Sequence, residues 1–208
     1  MKKNFISLMI AMMAIALFST CSKSSDSSDD DDGGGSSSGD ELVINAQDIE
    51  NNDSYIATVK AVTDDGDLLA TATYNNAGFK LTIKAPASKY LYSPDEVYEG
   101  ADISNSKAKM VDVAIEAYDR NGEYVGDIFM TGKNYSDIFA NFVYADRDFT
   151  VKGKSDQGYK YDCSFKKGWN IVYETTDDHT YSYSTKKPSG VNIVWTFRDK
   201  EEEHKFRK

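Results

Sequence analysis

The sequence predicts an all-β protein. Short segments alternate between apolar and polar residues, which is the period of a strand with one buried face. Turn-forming pairs such as Asn121-Gly122 separate these segments. The clearest case is residues 110–131, in which two alternating segments flank that pair and form a predicted hairpin. A hairpin alone is marginally stable in water, so further strands must cover its apolar face.

Four strands are predicted before this central hairpin, and the last three of them form a meander because the connections are only about four residues long. They are residues 42–45, 54–62, 68–74 and 79–84. Residues 86–109 then form a long connection that carries Tyr90, Tyr92 and Tyr98. Ser93-Pro94 predicts a short helix over residues 93–98. This connection is either a lid over the mouth of a barrel or a belt of tyrosines packed on the sheet exterior.

After the hairpin, residues 135–138 are a predicted connection, and residues 174–190 form a second irregular stretch with Tyr181 and Tyr183. Residues 138–145 are apolar on both faces, so we expect both faces to be covered. The predicted strands in this half are residues 138–145, 149–154, 159–166, 169–173 and 191–198. With about 8–10 strands joined mostly by tight turns, the sequence favours an antiparallel meander closed into a barrel, and a two-sheet sandwich is the alternative.

The chain divides into three parts. Residues 1–20 have a basic start and an apolar run too short to span a bilayer comfortably, which predicts a secretion signal; a retained anchor helix is the alternative. Residues 21–39 contain the run Asp29–Asp32 and no apolar residue after Cys21, which predicts a flexible acidic tether. The run lacks the spaced ligands of a calcium loop. Residues 40–208 form a single all-β domain.

Phe18-Ser19-Thr20-Cys21 resembles the lipobox of bacterial lipoproteins, which implies lipidation of Cys21 and attachment to a membrane. The acidic stretch after this cysteine resembles the surface-export signal of lipoproteins from the Bacteroidetes. Residues 149–197 resemble the C-terminal half of small Bacteroidetes lipoproteins of unknown function with calycin-like barrels. These resemblances imply a lipocalin-like barrel on the outer membrane, at the cell surface or on the periplasmic face.

Charge and composition exclude several functions. The net charge of −10 argues against nucleic acid as a partner, since backbone phosphates are bound by Lys and Arg. No His-Glu-x-x-His, Cys-x-x-Cys or Gly-x-Ser-x-Gly motif occurs, so zinc and serine hydrolysis have no support. Asp119-x-Asn121-Gly122 looks like part of a calcium loop, but the hairpin turn accounts for it. We predict no metal and no cofactor.

The remaining chemical groups also favour a protein that is not an enzyme. Cys163 shares a strand face with aromatic residues and is predicted to be a buried small hydrophobe rather than a nucleophile paired with His179; the other histidine, His204, lies in the charged tail. Asp112 and Glu116 lie on the polar face of a strand, where carboxylates normally contact solvent. A carboxylate-dependent hydrolase would need two such groups at roughly 5–10 Å across a cleft.

Binding is therefore the predicted role. The first hypothesis is a surface-anchored, non-enzymatic module whose barrel holds a small apolar or amphipathic ligand, with Tyr90, Tyr92, Tyr181 and Tyr183 near one end. The second is a structural or adhesive surface protein with a filled interior, whose loops contact a protein or a glycan. Aromatic side chains that simply fill a β core compete with both hypotheses.

Overall fold

The computed structural model describes residues 36–37, 39–75, 78–133, 135–155, 157–177 and 180–201. The described residues form 14 strands: β1 (Ser36–Ser37), β2 (Glu41–Ala46), β3 (Thr58–Thr63), β4 (Leu68–Thr73), β5 (Phe79–Lys84), β6 (Asp102–Ile103), β7 (Met110–Tyr118), β8 (Tyr124–Gly132), β9 (Tyr135–Ala145), β10 (Phe149–Lys154), β11 (Lys160–Phe165), β12 (Gly168–Asp177), β13 (Thr180–Ser184) and β14 (Ile193–Asp199). Two 3₁₀ turns, Ser88–Tyr90 and Pro94–Glu96, complete the elements. The all-β class is confirmed.

The strands form two sheets. The smaller sheet has the order β1-β2-β5, so its strand β1 lies inside the segment predicted to be a tether. The larger sheet has the order β4-β3-β7-β8-β9-β12-β13-β11-β10-β6, with β14 paired to the other edge of β8. Within the described residues, β4 and β6 at its two ends do not pair with each other. Two packed sheets agree with the sandwich alternative, and closure of a barrel stays a prediction.

The predicted meander of residues 54–84 is wrong in its last pairing. β5 pairs along its whole length with β2, from Glu41 opposite Lys84 to Ala46 opposite Phe79, and not with β4. The reason is burial: Leu42, Ile44 and Ala46 of β2 lie opposite the buried Ile83, Leu81 and Phe79 of β5 and continue the same apolar face. β4 has no fully buried residue, and its Leu68 is 55% exposed.

Other predicted boundaries also differ. β3 begins at Thr58, four residues later than predicted, whereas β9 begins at Tyr135, inside the predicted connection. The predicted irregular stretch 174–190 contains the end of β12 and all of β13. β13 pairs antiparallel with β12 and parallel with β11, so chain order does not give the strand order here.

The central hairpin is confirmed, but its turn differs from the predicted one. Only Gly122 has a positive φ, 81°, whereas the predicted turn needs positive φ at Asn121 as well. The Asp119 carboxylate accepts hydrogen bonds from the backbone N–H groups of Asn121 at 2.8 Å and Glu123 at 2.9 Å, which stabilises the longer loop. β8 leaves β7 soon after this turn and pairs with β9 instead.

Two hydrophobic cores lie on opposite faces of β7, β9 and β12. On β9, Phe142 and Tyr144 belong to the first core and Val143 and Ala145 to the second, so the prediction that this strand is covered on both faces is confirmed. The first core fills the space between the two sheets and includes residues of β2, β5 and β14. The second core is defined by Tyr98, Ala108, Met110, Val143, Ala145, Phe149, Val151, Tyr161, Cys163, Phe165 and Val172.

The long connection 86–109 covers the second core. The predicted short helix is confirmed as the 3₁₀ turn Pro94–Glu96, where the Glu96 side chain accepts a hydrogen bond from the backbone N–H of Ser93 at 2.9 Å. Tyr98 follows this turn and is buried in the second core. β6 also lies within the connection and pairs with β10. The connection is therefore packed on the large sheet through Tyr98 and β6.

Candidate functional site

The candidate site is a cluster of aromatic side chains on one face of β11, β12 and β13. The register places Tyr183 opposite Tyr161 of β11 and opposite Glu174 of β12, and it places Tyr181 opposite Thr176. Residues directly opposite each other in a sheet project from the same face, so alternation gives Tyr159 to this face as well. We call Tyr159, Tyr161, Tyr181 and Tyr183 the tyrosine face.

The rings of the tyrosine face contact one another. The ring centroid of Tyr159 lies 5.5 Å from that of Tyr181 and 6.2 Å from that of Tyr183, both in edge-to-face geometry. Tyr161 lies 5.6 Å from Tyr183, and Tyr98 packs against Tyr161 at 5.3 Å. Such arrangements are the favoured ones for aromatic pairs, because a ring edge is positive and a ring face negative.

Accessibility rises along this face. Tyr161 is buried with the second core, whereas Tyr159, Tyr181 and Tyr183 are half-buried. Three tyrosines are therefore within reach of a ligand while a fourth holds them against the interior.

Glu174 contributes a carboxyl group to the same face of the sheet, directly opposite Tyr183. The residue is only 4% exposed, and the hydroxyl of Tyr183 donates a hydrogen bond to its side chain. Burial raises the pKa of Glu174 to about 7, because removal from water penalises the charged form; the hydrogen bond from Tyr183 offsets only part of this effect. Near neutral pH this carboxyl therefore holds a proton part of the time.

Two lysines near these strands pair with a carboxylate on the opposite face. Lys152 of β10 pairs with Asp162 of β11, and Lys186 approaches the same carboxylate at 3.9 Å. Asp162 alternates with Tyr161 and Cys163, so its side chain projects away from the tyrosine face. Within the described part of the chain, Glu174 forms no ion pair.

A second cluster joins Tyr92 to two carboxylates. The Tyr92 hydroxyl lies 2.7 Å from Asp112 Oδ2 and 3.0 Å from Asp64 Oδ2, and it accepts a hydrogen bond from the Asp112 backbone N–H at 3.1 Å. Burial raises the pKa of Asp112, although the hydrogen bond from Tyr92 acts in the opposite direction. The cluster ties the turn after β3 to β7, which is a structural role.

This geometry corrects the view of Asp112 as a solvated carboxylate. Asp112 is half-buried on the same face as Met110, which belongs to the second core. A hydroxyl has a single proton, so Tyr92 can donate to only one of the two carboxylates, and a contact with the other requires a proton on that group. The Tyr92 hydroxyl lies within hydrogen-bond distance of both Asp64 and Asp112.

The four tyrosines predicted to bind a ligand are thus divided between two places. Tyr181 and Tyr183 belong to the tyrosine face, whereas Tyr92 belongs to the carboxylate cluster. Tyr90 is half-buried, and the amino group of Lys89 lies 4.3 Å from its ring centroid. Tyr92 and Tyr183 both pack against the second core, but in the described residues no ring contact joins the two pairs.

Sequence reasoning missed Glu174, Tyr159 and Tyr161 as site residues. The alternation of Tyr159, Tyr161, Cys163 and Phe165 on one strand was visible, and so was the run Trp169 to Tyr173 that precedes Glu174. A strand continued past residue 173 would have placed Glu174 on the same face as Val172. What the sequence lacks is the parallel pairing of β11 with β13, which brings the tyrosines together.

Cys163 is a buried thiol, as predicted. It has no exposed surface, and burial raises its pKa to about 12, so the reactive thiolate is scarce at neutral pH. Cys21, His179, His204, the predicted signal and the acidic run lie outside the described residues.

In the described residues, no group of three or more His, Cys, Asp or Glu side chains is arranged to hold a metal ion. The described part of the chain likewise contains no helix whose length and apolar character would let it cross a membrane. No protein-family model, curated protein or solved structure matches this chain.

Proposed function

We propose that this protein is a surface-displayed lipoprotein that binds a small ligand on its tyrosine face and does not transform it. The observation that carries the proposal is the placement of Tyr159, Tyr181 and Tyr183, half-buried and in mutual contact, on the same face of the sheet as the buried carboxyl of Glu174. Apolar walls with a single oriented polar group are typical of small-molecule sites.

The curvature of the large sheet supports a barrel-like site. The second core is lined by residues from β7, β9, β10, β11 and β12, which are strands of the same sheet. Strands of one sheet can surround one core only if that sheet curls around it. A lipocalin-like closed barrel around the second core, with the tyrosine face at its accessible end, is the finer form of the proposal.

The absence of catalysis is part of the proposal. The two carboxylates that approach each other most clearly, Asp64 and Asp112, are joined by the hydroxyl of Tyr92. Cys163 is buried and its pKa is raised, so it is a poor nucleophile.

Substitution of Tyr181 with alanine is expected to weaken ligand binding about 10-fold or more, because a central aromatic contact contributes more than 1 kcal/mol to a binding site. The measurement is native mass spectrometry of the protein purified gently from its own host, where the unmodified chain is expected to carry a small molecule. Tyr55→Ala is the matched control, since Tyr55 is an exposed tyrosine that packs on Phe197 instead. Retention of the ligand by Tyr181→Ala, or a macromolecular partner in its place, contradicts the proposal.

The anchor is tested through the two cysteines. Cys21→Ser is expected to abolish incorporation of labelled fatty acid and to move the protein from the membrane fraction to the soluble fraction. Cys163→Ser is the control, since Cys163 is buried within the folded domain and is not available for lipidation. Protease treatment of intact cells then distinguishes the outer surface from the periplasmic face, because only a surface-displayed domain is degraded.

A further inference from the structure

We propose that the ligand of the tyrosine face carries an organic cation, an alkylammonium group that lies against the rings of Tyr159, Tyr181 and Tyr183 with its charge directed toward Glu174. This inference rests on the proposed function and names its ligand class.

Among the described residues, no cationic side chain forms an ion pair with the buried carboxyl group of Glu174. The residue is 4% exposed, and its side-chain partner is the hydroxyl of Tyr183. A carboxylate removed from water is costly unless it is paired, so proteins rarely bury one alone. The strand lysines cannot serve, because Lys152 and Lys186 lie on the opposite face with Asp162. A ligand cation would supply the missing charge.

The protein contains a second Glu–Tyr pair in which the cation is present. The hydroxyl of Tyr118 donates a hydrogen bond to Glu116 Oε2 at 2.5 Å, and the amino group of Lys60 lies 3.4 Å from the ring centroid of Tyr118. Lys60 reaches this position because it lies directly opposite Glu116 in the pairing of β3 with β7. Glu174 and Tyr183 also bring a carboxyl group and a tyrosine hydroxyl together, here across two paired strands, but the residue opposite Glu174 on β9 is Phe139.

Ring chemistry selects an organic cation over a metal ion. Tyrosine faces attract cations through the negative charge of the ring face, and alkylammonium groups are the ligands recognised in this way. Ca²⁺ and Mg²⁺ require six or more oxygen ligands, whereas this site offers a single carboxyl among aromatic rings. The net charge of −10 also raises the local concentration of cations near the protein.

The test compares a cation with its neutral analogue. Isothermal titration calorimetry at pH 8 with the full chain measures binding of choline and of 3,3-dimethyl-1-butanol, in which a carbon atom replaces the charged nitrogen. Choline is expected to bind at least about 10-fold more tightly than the alcohol, on the scale of a desolvated cation–ring contact. Glu174→Gln is expected to remove this preference, and Glu116→Gln is expected to leave it unchanged because Glu116 lies at the pair already served by Lys60.

The outcomes separate the inference from the proposed function. Three results would contradict the inference that the ligand is a cation. They are equal affinity for choline and the alcohol, an unchanged preference in Glu174→Gln, and no binding of choline and tetramethylammonium at 10 mM, on the order of the weakest specific sites. In each of these cases the proposed function could still hold. It would be supported if native mass spectrometry finds a small molecule on the unmodified protein and finds less of it on Tyr181→Ala. If that ligand is also absent, the proposed function fails. Circular dichroism of Glu174→Gln confirms that the variant is folded.

Discussion

Substitution of Gly126 with alanine is expected to lower the free energy of unfolding by about 3 kcal/mol or more, the range of severe backbone and packing defects. Gly126 lies in β8 with a φ of 154°, opposite Asp199 of β14. A Cβ atom there would overlap the backbone carbonyl oxygen of Arg198 and approach the ring of Phe197 to 2.9 Å. A backbone carbonyl within a ladder cannot turn aside as a flexible side chain can, so β14 would have to shift.

The expected loss of stability in Gly126→Ala is large because β14 contributes residues to the first core. Trp195 packs against Phe79 of the small sheet at 5.7 Å and against Phe142 of the large sheet at 6.5 Å. Movement of β14 would therefore disturb the contact between the two sheets. Urea unfolding is the measurement, with Gly122→Ala as the control: Gly122 has a φ of 81° but open space around it, so backbone strain alone should cost about 1 kcal/mol. If Gly126→Ala and Gly122→Ala lose the same free energy of unfolding, the overlap of the added Cβ atom with the Arg198 carbonyl oxygen does not destabilise the protein.

Substitution of Glu174 with glutamine is expected to stabilise the ligand-free protein at pH 8 by about 2 kcal/mol. Burial raises the pKa of Glu174 from 4.5 to about 7, and each unit corresponds to about 1.4 kcal/mol. The folded state binds this proton more tightly than the unfolded state, so the contribution of Glu174 is most favourable below pH 4.5 and is lost as the pH rises to about 7. Glutamine remains neutral and still accepts the hydrogen bond of Tyr183, but its amide N–H groups gain no partner, which reduces the benefit.

The measurement is urea unfolding of both proteins between pH 4 and pH 8. Near pH 4.5 the variant should be the less stable protein, because its amide N–H groups lack partners while Glu174 is still protonated. Above that pH the unmodified protein should lose stability, until the variant is the more stable of the two at pH 8. Glu116→Gln is the control, since Glu116 is paired with Tyr118 and lies near Lys60. A difference between Glu174→Gln and the unmodified protein that does not change with pH would contradict the assignment of a buried, weakly acidic carboxyl to Glu174.

Alternation in the sequence predicted which face of each strand is buried, but not which strands are neighbours. The apolar faces of Val111 to Ala117 and of Phe142 and Tyr144 were correctly assigned because a period of two fixes side-chain direction. Strand pairing was harder to predict from the sequence, because several strands have apolar faces that could pair with one another. β5 pairs with β2 rather than with its chain neighbour β4, since Leu42 and Ile44 complete its buried face.

Only part of the candidate site was predicted, because the site depends on which strands are neighbours. Tyr181 and Tyr183 were predicted as ligand-binding residues within the irregular stretch 174–190, and the structure places both on β13, in the tyrosine face. Tyr90 and Tyr92, which lie in the other irregular stretch, were assigned to the same end of the domain. Local composition does not report contacts, however, and Tyr92 contacts Asp64 and Asp112 instead. Glu174 was missed because a charged residue after an apolar run is usually the end of a strand.

The position of β14 in the chain has a consequence for the order of folding. β14 (Ile193–Asp199) is the last strand described, yet it pairs with one edge of β8 and brings Trp195 into the first core. A growing polypeptide that has not yet included β14 leaves that edge of β8 without this partner, and open strand edges recruit other chains. Completion of the domain therefore waits until β14 (Ile193–Asp199) has been synthesised. A truncated product that stops before residue 193 should aggregate rather than accumulate as a smaller native protein.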